Sequence, residues 1–350
     1  MKKCLAVVST IVVALGVSCA DSDAPEETKV ASIPSPALVI TNGSGNIAIV
    51  DPQSSKVVST LDVAEGLHPH HIGRSPDGAQ LLISAPSTDL SLGHGSGGHG
   101  GHGGGDTRTV IYRLDIVTGE LKNIIEVEAT AHNAAFTPDG SGIAFSMMEH
   151  GMIAVHDAST FDERFNATGF EMPLEVTPAG DELILVAESG AARIAAFDLA
   201  SRAVVDRFDV GAVPVAAWAT DDANFFVSSE ESTDMRHLTD SSAGLALDEH
   251  VIDTGGIPGQ AVRVPNKQEL WVAIEDKGLV AIFDAATHAR IHEIAVGVKP
   301  HAIAFDAAGA KAYVTDEESG KLFVVDATTH AVASEIELGG KPNAVVWVER

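Results

Sequence analysis

One phrase recurs along this chain and restricts what it can become. Residues 299–330 read Lys-Pro-His-Ala-Ile-Ala-Phe-Asp-Ala-Ala-Gly-Ala-Lys-Ala-Tyr-Val-Thr-Asp-Glu-Glu-Ser-Gly-Lys-Leu-Phe-Val-Val-Asp-Ala-Thr-Thr-His. The phrase parses as an apolar strand, an Ala-Ala-Gly turn, a second strand, an acidic loop with a glycine, and a third strand ending in Asp. A fourth strand follows to Glu337. Ser75-Pro76-Asp77-Gly78, Thr137-Pro138-Asp139-Gly140 and Thr177-Pro178-Ala179-Gly180 occupy the first turn elsewhere. Asp51, Asp115, Asp157, Asp198, Asp284 and Asp326 close third strands. Units start near residues 66, 130, 171, 212, 256 and 298. A repeat of about 41 residues with four strands is a propeller blade. One blade cannot bury both its faces alone, so the repeat demands neighbours.

The two ends complete the count. Residues 341–350 form a first strand with nothing after it, and residues 37–63 form three strands without a first. Joined, they make a seventh blade and close the ring, which removes the free sheet edges. The expected fold is all-β, a seven-bladed β-propeller over 37–350 with its first blade closed by the C-terminal strand. Ala312-Tyr313-Val314-Thr315 and the Ser-Pro-Asp-Gly turns resemble the bacterial YVTN-type seven-bladed propellers. No Trp-Asp pair stands at a third-strand end, which argues against a WD40 array. Propellers host enzymes, carriers and scaffolds, so function has to be read from particular residues.

Residues 1–18 carry a short basic start, Met1-Lys2-Lys3, then an apolar stretch too short for a membrane span. The segment ends Leu15-Gly16-Val17-Ser18-Cys19-Ala20 and resembles a bacterial lipoprotein signal. That resemblance implies lipidation of Cys19 and a place in the bacterial cell envelope, on the periplasmic or outer surface, with the lipid as the one membrane contact. Residues 19–36 are polar, acidic and Pro-bearing and read as a flexible tether. Both cysteines, Cys4 and Cys19, lie before the propeller. Any metal site in the body must therefore use His, carboxylate or Met. The net charge of −27 excludes a nucleic-acid partner by repulsion of phosphate.

The unusual residues gather at one predicted mouth of the channel. Aligned on the last apolar residue of the first strand, His70, His132 and His301 share one position, with Met172, Pro214, Gln260 and Asn343 in the other blades. His68 and His71 flank His70. The loop between second and third strands opens on the same mouth, and in blade two it grows into a Gly/His tract over 91–106 that contains His94, His99 and His102. Blade three offers Met147-Met148-Glu149-His150 there, and the other blades Glu188, Glu230-Glu231, Glu275-Asp276 and Asp316-Glu317-Glu318. Neutral imidazole suits zinc and copper. The candidate metal ligands are His68, His70, His71, His132, His301, His94, His99, His102, Glu149 and His150, for zinc or copper. A Gly/His tract has no core-forming residues and reads as a mobile collector. The acidic loops read as a solvated face that concentrates cations. A lone His at a strand start is more often a hydrogen-bonding residue than a ligand. His156, His237, His250, His288, His292 and His330 are assigned no role.

The His-rich loop and inner-strand His residues look like those of the AztD-type periplasmic zinc metallochaperones. That resemblance implies a tight site at His70, His132 and His301, a mobile one at His94, His99 and His102, and hand-over of a divalent metal ion to an importer's binding protein or another envelope protein. The His70-His71 pair also resembles the nitrous oxide reductase propeller, but Asn343, Met172, Pro214 and Gln260 stand where that copper cluster requires more His. No catalytic residues are assigned: the chain has no Gly-x-Ser-x-Gly elbow, phosphate loop or haem-attachment motif. Two alternatives remain, a protein- or glycan-binding scaffold without metal, and a propeller enzyme of lactonase or oxidoreductase type with Glu149 or Glu175 as base.

Overall fold

A computed structural model of the chain describes residues 29–92, 107–211 and 213–350. Seven antiparallel sheets follow one another as the blades of a propeller. Their first strands are Pro342–Val348, Ile72–Arg74, Ala134–Phe136, Pro173–Ala179, Pro214–Asp221, Pro258–Arg263 and Pro300–Phe305, in blades one to seven. Blade one joins Pro342–Val348 to Ala37–Asn42, so the C-terminal strand closes the ring as expected. Second and third strands are buried along nearly their whole length, as in Glu269–Ile274 and Leu279–Asp284. This explains their unbroken apolar runs: each lies between two neighbouring blades and has no solvent face. Fourth strands, such as Ala331–Glu337, are mostly exposed.

The recurring Asp residues shape turns. Asp115 Oδ1 accepts the N–H groups of Val117 and Thr118 at 2.9 and 2.8 Å, and Asp326 Oδ1 those of Thr328 and Thr329 at 2.9 and 2.8 Å. These bonds favour the ionised carboxylate, so both pKa values are lowered.

The acidic loops depart from a purely solvated face. Asp316, Glu317 and Glu188 are buried. In five blades a side chain at the end of the second strand, or just beyond it, accepts an N–H from the segment that enters the first strand. Asp316 takes Lys299 at 2.9 Å, Asp276 takes Ile257 at 2.7 Å, Glu188 takes Glu171 at 3.0 Å, Glu149 takes Thr130 at 2.8 Å, and Asn42 takes Lys341 at 2.8 Å. These groups satisfy backbone donors at the strand entry that a blade's own ladder leaves unpaired.

The N-terminal expectation needs one correction. Residues 29–36 are not a free tether. Lys29–Val30 pairs with Glu120–Val127 as a fifth strand of blade two, and Ala31 and Ile33 are buried in its core. The signal at 1–18, Cys19, and the tether before residue 29 lie outside the described residues. Gly119 makes the docking possible: it sits at φ +76°, and a Cβ there would fall 1.8 Å from the Ala31 carbonyl oxygen. Gly119→Ala is expected to cost about 1–3 kcal/mol and to detach this strand. Limited proteolysis should then cut between residues 29 and 36 in the variant and leave the ring intact.

Candidate metal centre

A proline opens the first strand of most blades, and the residue after it faces the mouth. Strand pairing sets Pro173 opposite Glu188, Pro214 opposite Ser229, Pro258 opposite Ile274 and Pro300 opposite Asp316. The residues equivalent to His70, His132 and His301 are therefore Leu174, Val215, Gly259 and Asn343. This corrects the expected Met172, Pro214 and Gln260. The cause lies in blade four and its neighbours, where first strands carry register shifts and Pro173–Ala179 runs on through Thr177-Pro178-Ala179, so that phrase is strand rather than turn. Met172 sits outside the strand at φ +48°, its carbonyl accepting the Ser189 hydroxyl at 2.8 Å.

Hydroxyls on second strands hold these starts in place. Thr41 donates to the His70 carbonyl, Ser84 to that of Ala131, Ser146 to that of Leu174 and Thr315 to that of Asn343. Each bond crosses from one blade to the next and ties backbone beside a mouth residue. Asn133 acts likewise, with Oδ1 accepting the Val176 N–H and Nδ2 donating to the Val176 carbonyl, both at 2.9 Å.

The result is a knot of imidazoles. His70 lies 4.3 Å from His71 and 4.8 Å from His132, and His71 lies 4.9 Å from His132, between ring centroids. His301 stands 5.7 and 5.8 Å from His70 and His71. One ring nitrogen from each of His70, His71 and His132 falls within 4.8 Å of the other two, and all three residues are buried. Glu175 reaches the knot from blade four. Its Oε1 lies 3.0 Å from His71 Nε2 and 3.3 Å from His132 Nδ1. Burial alone would raise the Glu175 pKa, but the charge and hydrogen bonds of His71 and His132 hold it well below the usual carboxylate range.

The knot borders a cavity of about 40 Å³ lined also by Leu90, Trp218, Glu230, Glu275, Lys299 and Glu317. A second opening of about 250 Å³ shares His71, Glu175, Trp218 and His301 and continues past Arg74. Residues 89–91 reach the mouth from blade two, where the Gly/His tract begins. Lys341 Nζ bonds Asp89 and the Ser91 hydroxyl at 2.5 and 2.9 Å, and Lys299 Nζ bonds the Ser91 carbonyl at 2.8 Å.

His301 is oriented by a carboxylate, with Nδ1 2.9 Å from Glu275 Oε1. Its Nε2 is buried and makes no hydrogen bond among the described residues. Burial disfavours its charged form, yet Glu317 and Glu275 outweigh that and raise its pKa to about 9. A raised His pKa contributes stability that is complete below the unfolded value near 6.5 and is lost as pH rises through about 9. The melting-temperature difference between metal-free wild type and His301→Gln should therefore be largest below pH 6.5 and shrink as pH passes 9. A difference constant from pH 6 to 10 would contradict the ion pair.

The other candidates lie elsewhere. His68 Nδ1 contacts the Gly43 carbonyl at 2.7 Å and is absent from the knot. Glu149 caps Thr130, through its N–H and hydroxyl at 2.8 and 2.5 Å, and His150 is exposed. His94, His99 and His102 lie outside the described residues. Sequence reasoning considered Glu175 only as a base and overlooked Trp218 and Lys299. Glu175 could have been found from spacing, since it follows Pro173 by two residues as His71 follows Pro69.

A family model for the YNCE-like beta-propeller matches residues 166–350. No curated protein sequence matches the chain significantly. Among solved structures, apo AztD from Citrobacter koseri is similar at TM-score 0.57 and 15% identity, over 90% of this chain and 98% of that one. The periplasmic gluconolactonase PpgL of Pseudomonas aeruginosa superposes at TM-score 0.67 and 18% identity, over 90% and 99%. The dihydro-heme d1 dehydrogenase NirN gives 0.61 and 14%, over 92% and 77%. At such identities the likenesses show a shared fold.

Proposed function

Because the chain belongs to the YNCE-like beta-propeller family, whose fold alone does not define an activity, we propose that its function resides in the imidazole knot and is the binding of a transition metal ion, zinc or copper, as cargo. The observation that carries this reading is the convergence of His70, His71 and His132 within 4.8 Å in a buried site. Three imidazoles that face one another beside a buried carboxylate form a donor set suited to zinc or copper.

The residues present fit such an ion. His70, His71 and His132 would supply nitrogen donors. Glu175 would supply either a fourth donor or the acceptor that fixes the His71 and His132 rings. His301 adds a nitrogen at the edge of the knot, its Nδ1 set by Glu275. The anionic surroundings, Glu175, Glu275 and Glu317, offset the charge of a divalent cation. Protons on these rings must leave as a metal enters, so affinity falls as pH falls. The cavity of about 40 Å³ at the knot suits a single ion, and the adjoining opening of about 250 Å³ shares His71, Glu175 and His301 with it.

The wider reading is an envelope protein, lipid-anchored through Cys19, that collects metal on the Gly/His tract and passes it inward, in the manner of a metallochaperone. Equilibrium dialysis with zinc and with copper tests the core of this. One tight site should persist after deletion of residues 93–106, with weaker binding lost. If no binding exceeds that of an isolated Gly/His peptide, the reading fails.

A further inference from the structure

A second convergence of nitrogen and carboxylate stands on blade five, separate from the channel. His237 lies on the third strand, Asp234–Ser241, and Asp248 on the fourth, Gly244–Asp253. His288 comes from the turn between the third and fourth strands of blade six, at φ +56°. One donor atom from each of the three falls within 4.8 Å of the others.

The hydrogen bonds around His237 determine which ring nitrogen carries the proton. Asn224 Nδ2 donates to Asp221 Oδ1 at 2.7 Å, which fixes the amide orientation. The Asn224 oxygen therefore faces His237 Nε2, at 2.9 Å, and Nε2 must be the donor. A neutral ring then has its lone pair on Nδ1. That atom is buried, makes no hydrogen bond among the described residues, and points at Asp248 Oδ2 from 3.7 Å. Asp248 Oδ1 is already taken by the His250 N–H at 2.8 Å, which aims the other oxygen at the histidine. Arg236 bonds the Asp248 backbone carbonyl at 3.1 Å instead of its carboxylate.

An imidazole lone pair aimed at a carboxylate is an arrangement of two acceptors with no donor between them. It is too long for a hydrogen bond and close to the spacing of about 3.3 Å between donors on a tetrahedral ion with bonds near 2.05 Å. Burial also pushes His237 and His288 below the ordinary imidazole value, against the pull of Asp248. Asn224 plays the part of the outer partner that orients a metal-binding histidine.

We propose that His237 Nδ1, Asp248 and His288 form a lateral site for a divalent transition-metal cation, independent of the channel knot. Asp248 and His288 are partly exposed and make the closing movement around the ion, while His237 is held by Asn224 and by stacking on Phe226 at 4.6 Å.

Zinc alone is the probe. Equilibrium dialysis of the full chain should show one zinc fewer per chain for Asp248→Asn/His288→Gln than for wild type. His70→Ala/His71→Ala/His132→Ala should keep that zinc, which separates this site from the channel. Asn224→Ala retains all three donors and should weaken the site about 10- to 100-fold. Unchanged zinc stoichiometry in the double variant overturns the proposal. If that variant melts lower than wild type, anomalous scattering at the zinc edge from wild-type crystals decides instead: a peak at bonding distance from His237 Nδ1 supports the site, and no peak there overturns it.

Discussion

A chain carrying His70→Ala, His71→Ala and His132→Ala is expected to lose its tight metal site, with affinity for zinc or copper falling by more than about 100-fold. Outer-partner changes alone cost 10- to 100-fold at metal sites, and this variant removes three direct donors. The fold should survive. The three side chains face one another, and their replacement removes buried polar groups without touching the backbone bonds from Thr41 and Ser84 that hold the strand starts. Glu175→Gln is the informative companion. It keeps the volume but takes away the anion that His71 and His132 share, and should weaken binding about 10- to 100-fold. Met172→Ala should change nothing, since Met172 lies off the knot. Isothermal titration with a competing chelator measures all three, and wild-type affinity in the triple variant would refute the assignment.

Truncation after residue 340 is expected to abolish cooperative folding. The missing strand Pro342–Val348 pairs with Ala37–Asn42 along its length and buries Asn343, Ala344, Val345 and Val348. At about 1.5–3 kcal/mol for each large apolar side chain, with ladder bonds added, the loss is roughly 5–10 kcal/mol. That rivals the whole stability of an ordinary domain, about 5–15 kcal/mol. Arg350 goes too, and with it the bonds to the Ile33 and Val117 carbonyls at 2.7 and 3.0 Å that tie down the N-terminal strand. What remains has an uncovered edge on Ala37–Asn42, a template for association with other chains. Soluble yield and the sharpness of the thermal transition should both collapse. A truncated chain that melted cooperatively within 5 °C of wild type would mean that closure contributes little, against a strand worth about this much.

The blade count, the split blade and the mouth location were legible because their causes are local. Strands buried on both faces write unbroken apolar runs, and Asp-capped turns punctuate them at a steady period. His70, His132 and His301 came out of that period directly. Register inside blades four to six was not legible, because aligning on the last apolar residue of the first strand assumes equal strand lengths. Pro173–Ala179 breaks that assumption, and the error displaced the expected mouth residue from Leu174 to Met172. Glu175 was hidden for the same reason. The acidic loops misled in a different way. Composition makes Asp316 and Glu188 look like surface charge, whereas they answer to backbone donors that no sequence pattern announces. The docking of Ala31 and Ile33 was equally silent, since two apolar residues in a polar segment carry no periodicity.

The short segment over the mouth has a kinetic consequence. Leu90 borders the small cavity, and its neighbours are moored by Lys341 to Asp89 and by Lys299 to Ser91. These bonds are charge-assisted and partly exposed, so added salt loosens them while hardly altering the buried imidazoles. Exchange of a solute from that side should therefore quicken with ionic strength at nearly constant affinity.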